Sequence, residues 1–448
     1  MSSKTKTVLK LMIPSLIGII LFLVPVNYRG ESEIVVGIIA NGLKSALGGA
    51  LIPLLTVLTV GSAALSLLHR ICPLPFFSRH EALNRLFSPN LFWLVVRTLG
   101  GAITLLAFFR LGPAAVWSAD TGGNMLTTIL PSCAVWYLVG GLLLPLMTDY
   151  GLLDIFSSLF KRISRPLFKV PGRAMLDCVT SWVGSSVCGI YLTISQYEGG
   201  FYNAREAAII SSNFSLLSIS FCSMIAAMLG LGTMFGRFYL TIVAAGVICA
   251  VITPRLWPLR GIPETYDAVS GRQVDEEAPR NMSNLRWGYR QALKRAEEAP
   301  GFLEFLKKGV TTAADLTLNT MPVIMAFGTI ALIVANYTPV FDYLGVPLGL
   351  YLKVFSVPDA MEAGSAILVG FADQFIPVVI GSAFSSLFTR FVVGCCCILQ
   401  ILYITDIGAL VLTSRMPFNL WQMFVVFLER IVISIPIVVL CANLFGIA

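Results

Sequence analysis

The sequence predicts an all-α polytopic membrane protein whose core is an inverted repeat carrying two re-entrant helical hairpins. Three observations lead there. Apolar runs of bilayer length recur along the chain, a five-part order of segments occurs on both sides of one polar insertion, and the placement of Lys and Arg leaves no room for one helical segment to cross.

Of 448 residues, 56% are hydrophobic and only 12% charged, more apolar surface than a soluble core of this size encloses. Runs near the roughly 20 residues that span a bilayer lie at 11 to 27, 45 to 68, 91 to 110, 127 to 148, 205 to 229, 235 to 253, 314 to 336, 385 to 413 and 419 to 446. The first follows Lys4, Lys6 and Lys10, but "VPVNYRGESE" after it offers no small-residue cleavage site, so it reads as an uncleaved span. The net charge of +7 is a topology signal and implies no nucleic acid. The ten cysteines fall almost wholly in apolar runs, Cys395, Cys396 and Cys397 in succession, and read as small buried hydrophobes, with a metal or thiolate role for the three as the alternative that helical spacing disfavours. No Walker-type glycine loop or His-rich metal spacing occurs. Both histidines, His69 and His80, sit in one polar loop, so no enzyme and no cofactor are expected.

The chain divides into a transmembrane scaffold (1–125), a first repeat (126–253), a polar cytoplasmic insertion (254–308) and a second repeat (309–448). In each repeat a span leads to a short amphipathic stretch ending in Val170-Pro171 or Val357-Pro358, and then to a broken segment, 174–196 or 360–382. A helix studded with polar residues follows, then a closing span. Val183-Gly184 aligns with Val369-Gly370 at an offset of 186, and Asn213 falls opposite Gln400 at 187. Residues 151–173 hold Lys161, Arg162, Arg165, Lys169 and Arg173 and are expected in the cytoplasm, as is the insertion. An even number of crossings must separate the two, which makes 174–196 a hairpin that enters and returns. The matching stretch 337–357 has Lys353 as its only cation, which places it on the opposite side and makes the repeats inverted. The N-terminus is then cytoplasmic.

Irregular backbone at membrane depth is tolerated only where protein or a wet cavity covers it. Gly184, Ser185 and Ser186 form the expected first tip. Gly370 to Gln374 form the second, with Asp373 starting a half-helix whose free N–H groups it accepts. Backbone and side-chain donors and acceptors around the two tips suit a polar solute or an ion. The expected solute contacts are Gly184, Ser185, Ser186, Asn213, Ser215, Ser218, Gly370, Asp373, Gln374 and Gln400. Gln374 has donor and acceptor capacity for an amide, base or hydroxyl. Asp373, Thr405 and Asp406 are the candidates for H⁺ or Na⁺ coupling, since an ionised carboxylate in a span costs about 2.5–3.5 kcal/mol on insertion scales. Asp177 and Glu362, one turn into their hairpins within reach of interfacial water, rank second. Glu429-Arg430 is expected to form an ion pair or lock with other helices.

"QYEGGFYNAREAAIISSNFSLLSISF" (196–221) and "GFADQFIPVVIGS" (370–382) resemble signature stretches of the YjiH family within the nucleoside-recognition, or gate, domain group, over roughly residues 126–448. Gate domains occur in concentrative nucleoside transporters and the membrane part of the ferrous-iron transporter FeoB, so the resemblance implies transport and paired re-entrant hairpins. It implies the tips at 184–186 and 370–374 and site-lining helices holding Asn213 and Gln400. The first hairpin lacks the Gln-Thr and Glu combination of the nucleoside transporters, and the FeoB G domain has no counterpart. The expectation is a secondary transporter of the bacterial inner membrane moving a small polar solute, nucleoside-like or an ion, by alternating access. The alternative is a non-transporting membrane subunit. Partners left open are the lipid bilayer, a second or third copy of the chain, and a companion gate-domain protein.

Overall fold

The computed structural model describes residues 3–28, 31–72, 84, 86–143, 145–183, 186–217, 219–271 and 282–447. Seven helical stretches among them are long and apolar enough to cross a membrane: Thr5–Phe22, Val35–Ile71, Leu91–Phe109, Ala114–Thr148, Gly232–Arg255, Thr317–Tyr337 and Leu420–Leu444. Their outward side chains are apolar. Val57, Phe92, Leu240, Trp421 and Leu440 are all more than half exposed. Thr104, Thr193, Ser211, Thr241, Gln400 and Arg430 are by contrast fully enclosed. An apolar outer surface on membrane-length helices, with polar groups enclosed within an otherwise apolar core, suits lipid as the solvent, and the chain is a multi-pass membrane protein. Apart from the helices, Pro25–Tyr28 pairs antiparallel with Glu31–Ile34.

Prolines inside two spans show how backbone acceptors are kept satisfied. Pro322 has no N–H for the carbonyl one turn earlier, and the Ser62 hydroxyl donates to that oxygen, Leu318 O, at 2.6 Å. Pro436 leaves Val432 O without its donor in the same way, and Tyr351 Oη donates to it at 3.1 Å. Both rescuing hydroxyls come from neighbouring helices, so each proline also fixes a helix contact.

Two of the predicted runs are broken midway by residues outside any helix. Residues 205 to 229 form Ala204–Asn213 and Ile219–Met228, and 385 to 413 form Leu387–Leu399 and, after residues 400–403, a π-turn Ile404–Gly408 that runs into Ala409–Thr413. Each broken helix starts on a side-chain cap. Asn203 accepts from the N–H of Glu206 at 2.8 Å while Glu206 accepts from the N–H of Asn203 at 3.0 Å, and Ser386 accepts from the N–H of Thr389 at 3.2 Å. Each is also preceded by two short helices, Ala174–Val183 with Ser186–Glu198 and Ala360–Val369 with Phe375–Ser382. The same order of elements therefore occurs in both halves of the chain.

Both helix pairs begin and end in one place. Arg173, just before the first pair, lies with its guanidinium 4.4 Å from the ring centroid of Phe201, just after it. Asp177 joins the arms, accepting from Thr193 Oγ1 at 2.9 Å and from Tyr202 Oη at 3.2 Å. It is 1% exposed, so the expected reach of interfacial water fails because these partners enclose it. The second pair closes through Thr389 Oγ1, which donates to Pro358 O at 2.8 Å.

The cation-rich segments gather on one face. Helix Asn284–Glu298 of the insertion packs on Leu152–Phe168, where a Cβ at Gly288 would fall 2.3 Å from Ser158 Oγ, so only glycine permits this approach. Asp154 accepts from Arg173 Nη2 at 3.3 Å through Oδ1 and forms an ion pair with Arg295, whose Nε lies 3.1 Å from Oδ2, and both guanidinium groups lie 4.4 Å from the Phe201 centroid. Burial pushes Arg295 below the ordinary arginine range, with Asp154 pulling the other way. Lys10 Nζ of the first helix donates to Ala299 O at 2.5 Å on the same face. Arg415, after the second broken helix, pairs there with Asp267 at 2.9 Å and Glu198 at 3.5 Å.

Candidate functional site at the helix breaks

The second tip is built from the residues the sequence singles out. Helix Ala360–Val369 ends at Gly370, where a Cβ would lie 2.3 Å from Gln400 Nε2, so any larger residue would displace the Gln400 amide. Gln400 Nε2 donates to Gly370 O at 3.1 Å, and the N–H of Ile404 donates to Phe371 O at 2.9 Å. Asp373 accepts from the N–H of Phe375 at 2.8 Å through Oδ1, as expected for a carboxylate opening a half-helix, and from Thr405 Oγ1 at 3.0 Å through Oδ2. Cys397 Sγ donates to Gln374 O at 3.0 Å. The Phe371 ring lies 4.9 Å from Phe424 and 5.1 Å from Phe427 of the last span. Hydrogen bonds and aromatic contacts thus seat the tip in the break of the helix that follows it.

Strain and unmet polar capacity collect here. Ile401, a β-branched residue, has φ of 59° in the left-handed region, an outlier of the kind that clusters at functional sites. Gln374 Nε2 and Gln400 Oε1, a donor and an acceptor, are buried and make no hydrogen bond among the described residues.

The other break is held by a residue from the last span. Asn213 closes Ala204–Asn213, its Nδ2 donating back to Ile209 O at 3.1 Å. Its Oδ1 accepts from Arg430 Nη1 at 2.7 Å and from Thr253 Oγ1 at 2.5 Å. Arg430 Nε donates in turn to Leu399 O at 2.8 Å, the carbonyl that ends the other half-helix. The two breaks therefore meet through one side chain. Arg430 forms no ion pair among the described residues, with Glu429 or otherwise, because its partners are an amide and a backbone carbonyl.

Of the expected site residues, Asp373 and Thr405 touch each other, Gly370 and Gln400 touch each other, and Gln374 O meets Cys397. Asn213 joins them at one remove through Arg430 and Leu399. Ser186 and Ser215 are buried, at the start of the second arm and in the first break. Gly184, Ser185 and Ser218 lie outside the described residues, as does the side chain of Asp406, whose backbone sits in the π-turn. Thr253 was missed by the sequence reading, since a threonine before Pro254 at a span's end carries no signal of its own.

Residues 130–232, which hold the first helix pair and the first break, match the family described as Gate, nucleoside recognition. The chain is 38% identical over 441 residues to an uncharacterized protein of Alkalihalophilus pseudofirmus, with 98% of this chain and 95% of that protein covered. This chain carries a gate domain and belongs to that protein's family. No solved structure matches it. The gate-domain match ends before the second tip, so the second half is tied to the first by the repeated order of its elements and by Arg430. The apolar helices and the gate domain together give a transporter-like membrane protein.

Proposed function

We propose that this gate-domain protein is a secondary transporter of the bacterial inner membrane, moving a small polar solute by alternating access past the junction of the second tip with the two helix breaks. The observation that carries the reading is the buried donor and acceptor, Gln374 Nε2 and Gln400 Oε1, left unmet beside Asp373. Such groups cost about 1–3 kcal/mol each when unpaired, and a solute with an amide, base or hydroxyl edge relieves the cost. Asp373 and Thr405 are the residues proposed for H⁺ or Na⁺ coupling, with Asp406 beside them in sequence.

Supporting the path is the closure of each helix pair where it begins and ends, Arg173 against Phe201 and Thr389 against Pro358, which favours two re-entrant hairpins in inverted repeats. The gathering of Lys10, Arg165, Arg173, Arg295 and Arg415 with the insertion on one face favours that face, and the N-terminus, as cytoplasmic. Single cysteines at Lys169 and Glu198 are expected to react with a membrane-impermeant maleimide from the same side. Reaction from opposite sides makes 174–196 an ordinary crossing and removes the tip from the site.

In proteoliposomes screened with nucleosides, amino acids and small amides, Asp373→Asn is expected to lower uptake by about 100-fold, corresponding to nearly 3 kcal/mol in the rate-limiting barrier, with the same elution volume as the parent. If no solute moves and the chain instead purifies with a stoichiometric membrane partner, the non-transporting subunit is the right description.

A further inference from the structure

We propose that Arg430 is a tethered cation, its guanidinium taking the place of a bound metal ion where the ends of helices Ala204–Asn213 and Leu387–Leu399 meet. The side chain is fully enclosed, and no carboxylate pairs with it among the described residues. An uncompensated charge in such a setting is normally expelled or neutralised. Here the compensation is supplied by helix ends. Nε binds the carbonyl of Leu399, the last residue of one helix, and Nη1 binds the side-chain oxygen of Asn213, the last residue of the other, whose own Nδ2 caps Ile209 O.

Each helix C-terminus presents about half a negative charge, and two presented to one point give about one, the magnitude that a guanidinium balances. Carbonyls at the ends of discontinuous helices are also the groups that coordinate Na⁺ in many transporters. An arginine fixed between them keeps a free cation out by occupancy and by repulsion. The inference deepens the transport reading, because any coupling ion must then act elsewhere, at Asp373 and Thr405, and its test uses no flux, so the two can fail separately.

Thermal unfolding of the full chain in detergent, in sodium chloride and in choline chloride of equal ionic strength, reads the site directly. In the Asp373→Asn/Asp406→Asn protein, where the other candidate carboxylate ligands are neutral, the midpoint is expected to be the same in both salts. Arg430→Ala is expected to lower the midpoint by roughly 10 °C and to regain part of the loss on adding methylguanidinium. Arg430→Lys keeps the charge without the fork and is expected to fall between parent and alanine variant, which preserves the comparison if the alanine protein does not fold. A saturable rise of the midpoint with sodium that persists in Asp373→Asn/Asp406→Asn overturns the proposal. So does an Arg430→Met protein as stable as the parent, since a cation would then not be needed between the helix ends.

Discussion

Asn213→Leu is expected to lower the stability of the protein by about 3–5 kcal/mol, the usual cost of stripping a partner from a buried charge. Leucine keeps most of the volume, so packing changes little. What it removes is the oxygen that accepts from Arg430 at 2.7 Å and from Thr253 at 2.5 Å, leaving a fully enclosed guanidinium with Leu399 O alone. Asn213→Asp makes the opposite change, setting a carboxylate against the same cation, and is expected to unfold at or above the parent temperature. Equal stability of the leucine and parent proteins, followed by urea or heat in detergent, sinks the account of this junction.

The second large effect is expected at Asp154, where the insertion packs on helix Leu152–Phe168. Its two oxygens face Arg173, 1% exposed on its side chain, and Arg295, 27% exposed. Removing the carboxylate in Asp154→Ala leaves two guanidinium groups on Phe201 without the one side chain that pairs with both, a loss of about 3–5 kcal/mol dominated by Arg173. The loss has a location. Helix Asn284–Glu298 is held to Leu152–Phe168 by this contact and the small-residue seam at Gly288, so its amides are expected to exchange faster with deuterium in the variant while those of Leu420–Leu444 do not. Uniform protection across both helices in Asp154→Ala is the outcome that contradicts this assignment. Raising the salt concentration is expected to imitate the variant only weakly, because buried pairs are poorly screened.

The spans were legible in the sequence for a simple reason: lipid selects for uninterrupted apolar runs, and composition alone reports them. Helix pairs around 184 and 370 were legible because glycine, serine and aspartate break apolar runs there and because the cations at 151–173 constrain the path. The breaks were not. "IISSNFSLLSISF" and "CCCILQILYITDI" contain no proline or glycine that would end a helix, and polar residues within them suit a span as well as a break. What interrupts these helices comes from elsewhere in the chain. Arg430 is 217 residues from Asn213 and 31 from Leu399, separations at which no local pattern speaks. The cap made by Asp373 was legible because its partner, the N–H of Phe375, is two residues away. Thr253 was invisible because its partner, Asn213, is 40 residues away.

Two levers with one fulcrum behave differently from two levers. Each broken helix is pinned at its outer end by its own cap, Asn203 or Ser386, and rests at its inner end on the same rigid, planar group from the last span. A slide of either helix along its axis lengthens a bond to Arg430, and the guanidinium, having no slack, passes the displacement to the opposite half of the chain. The two halves of the chain are thereby geared together at their centre.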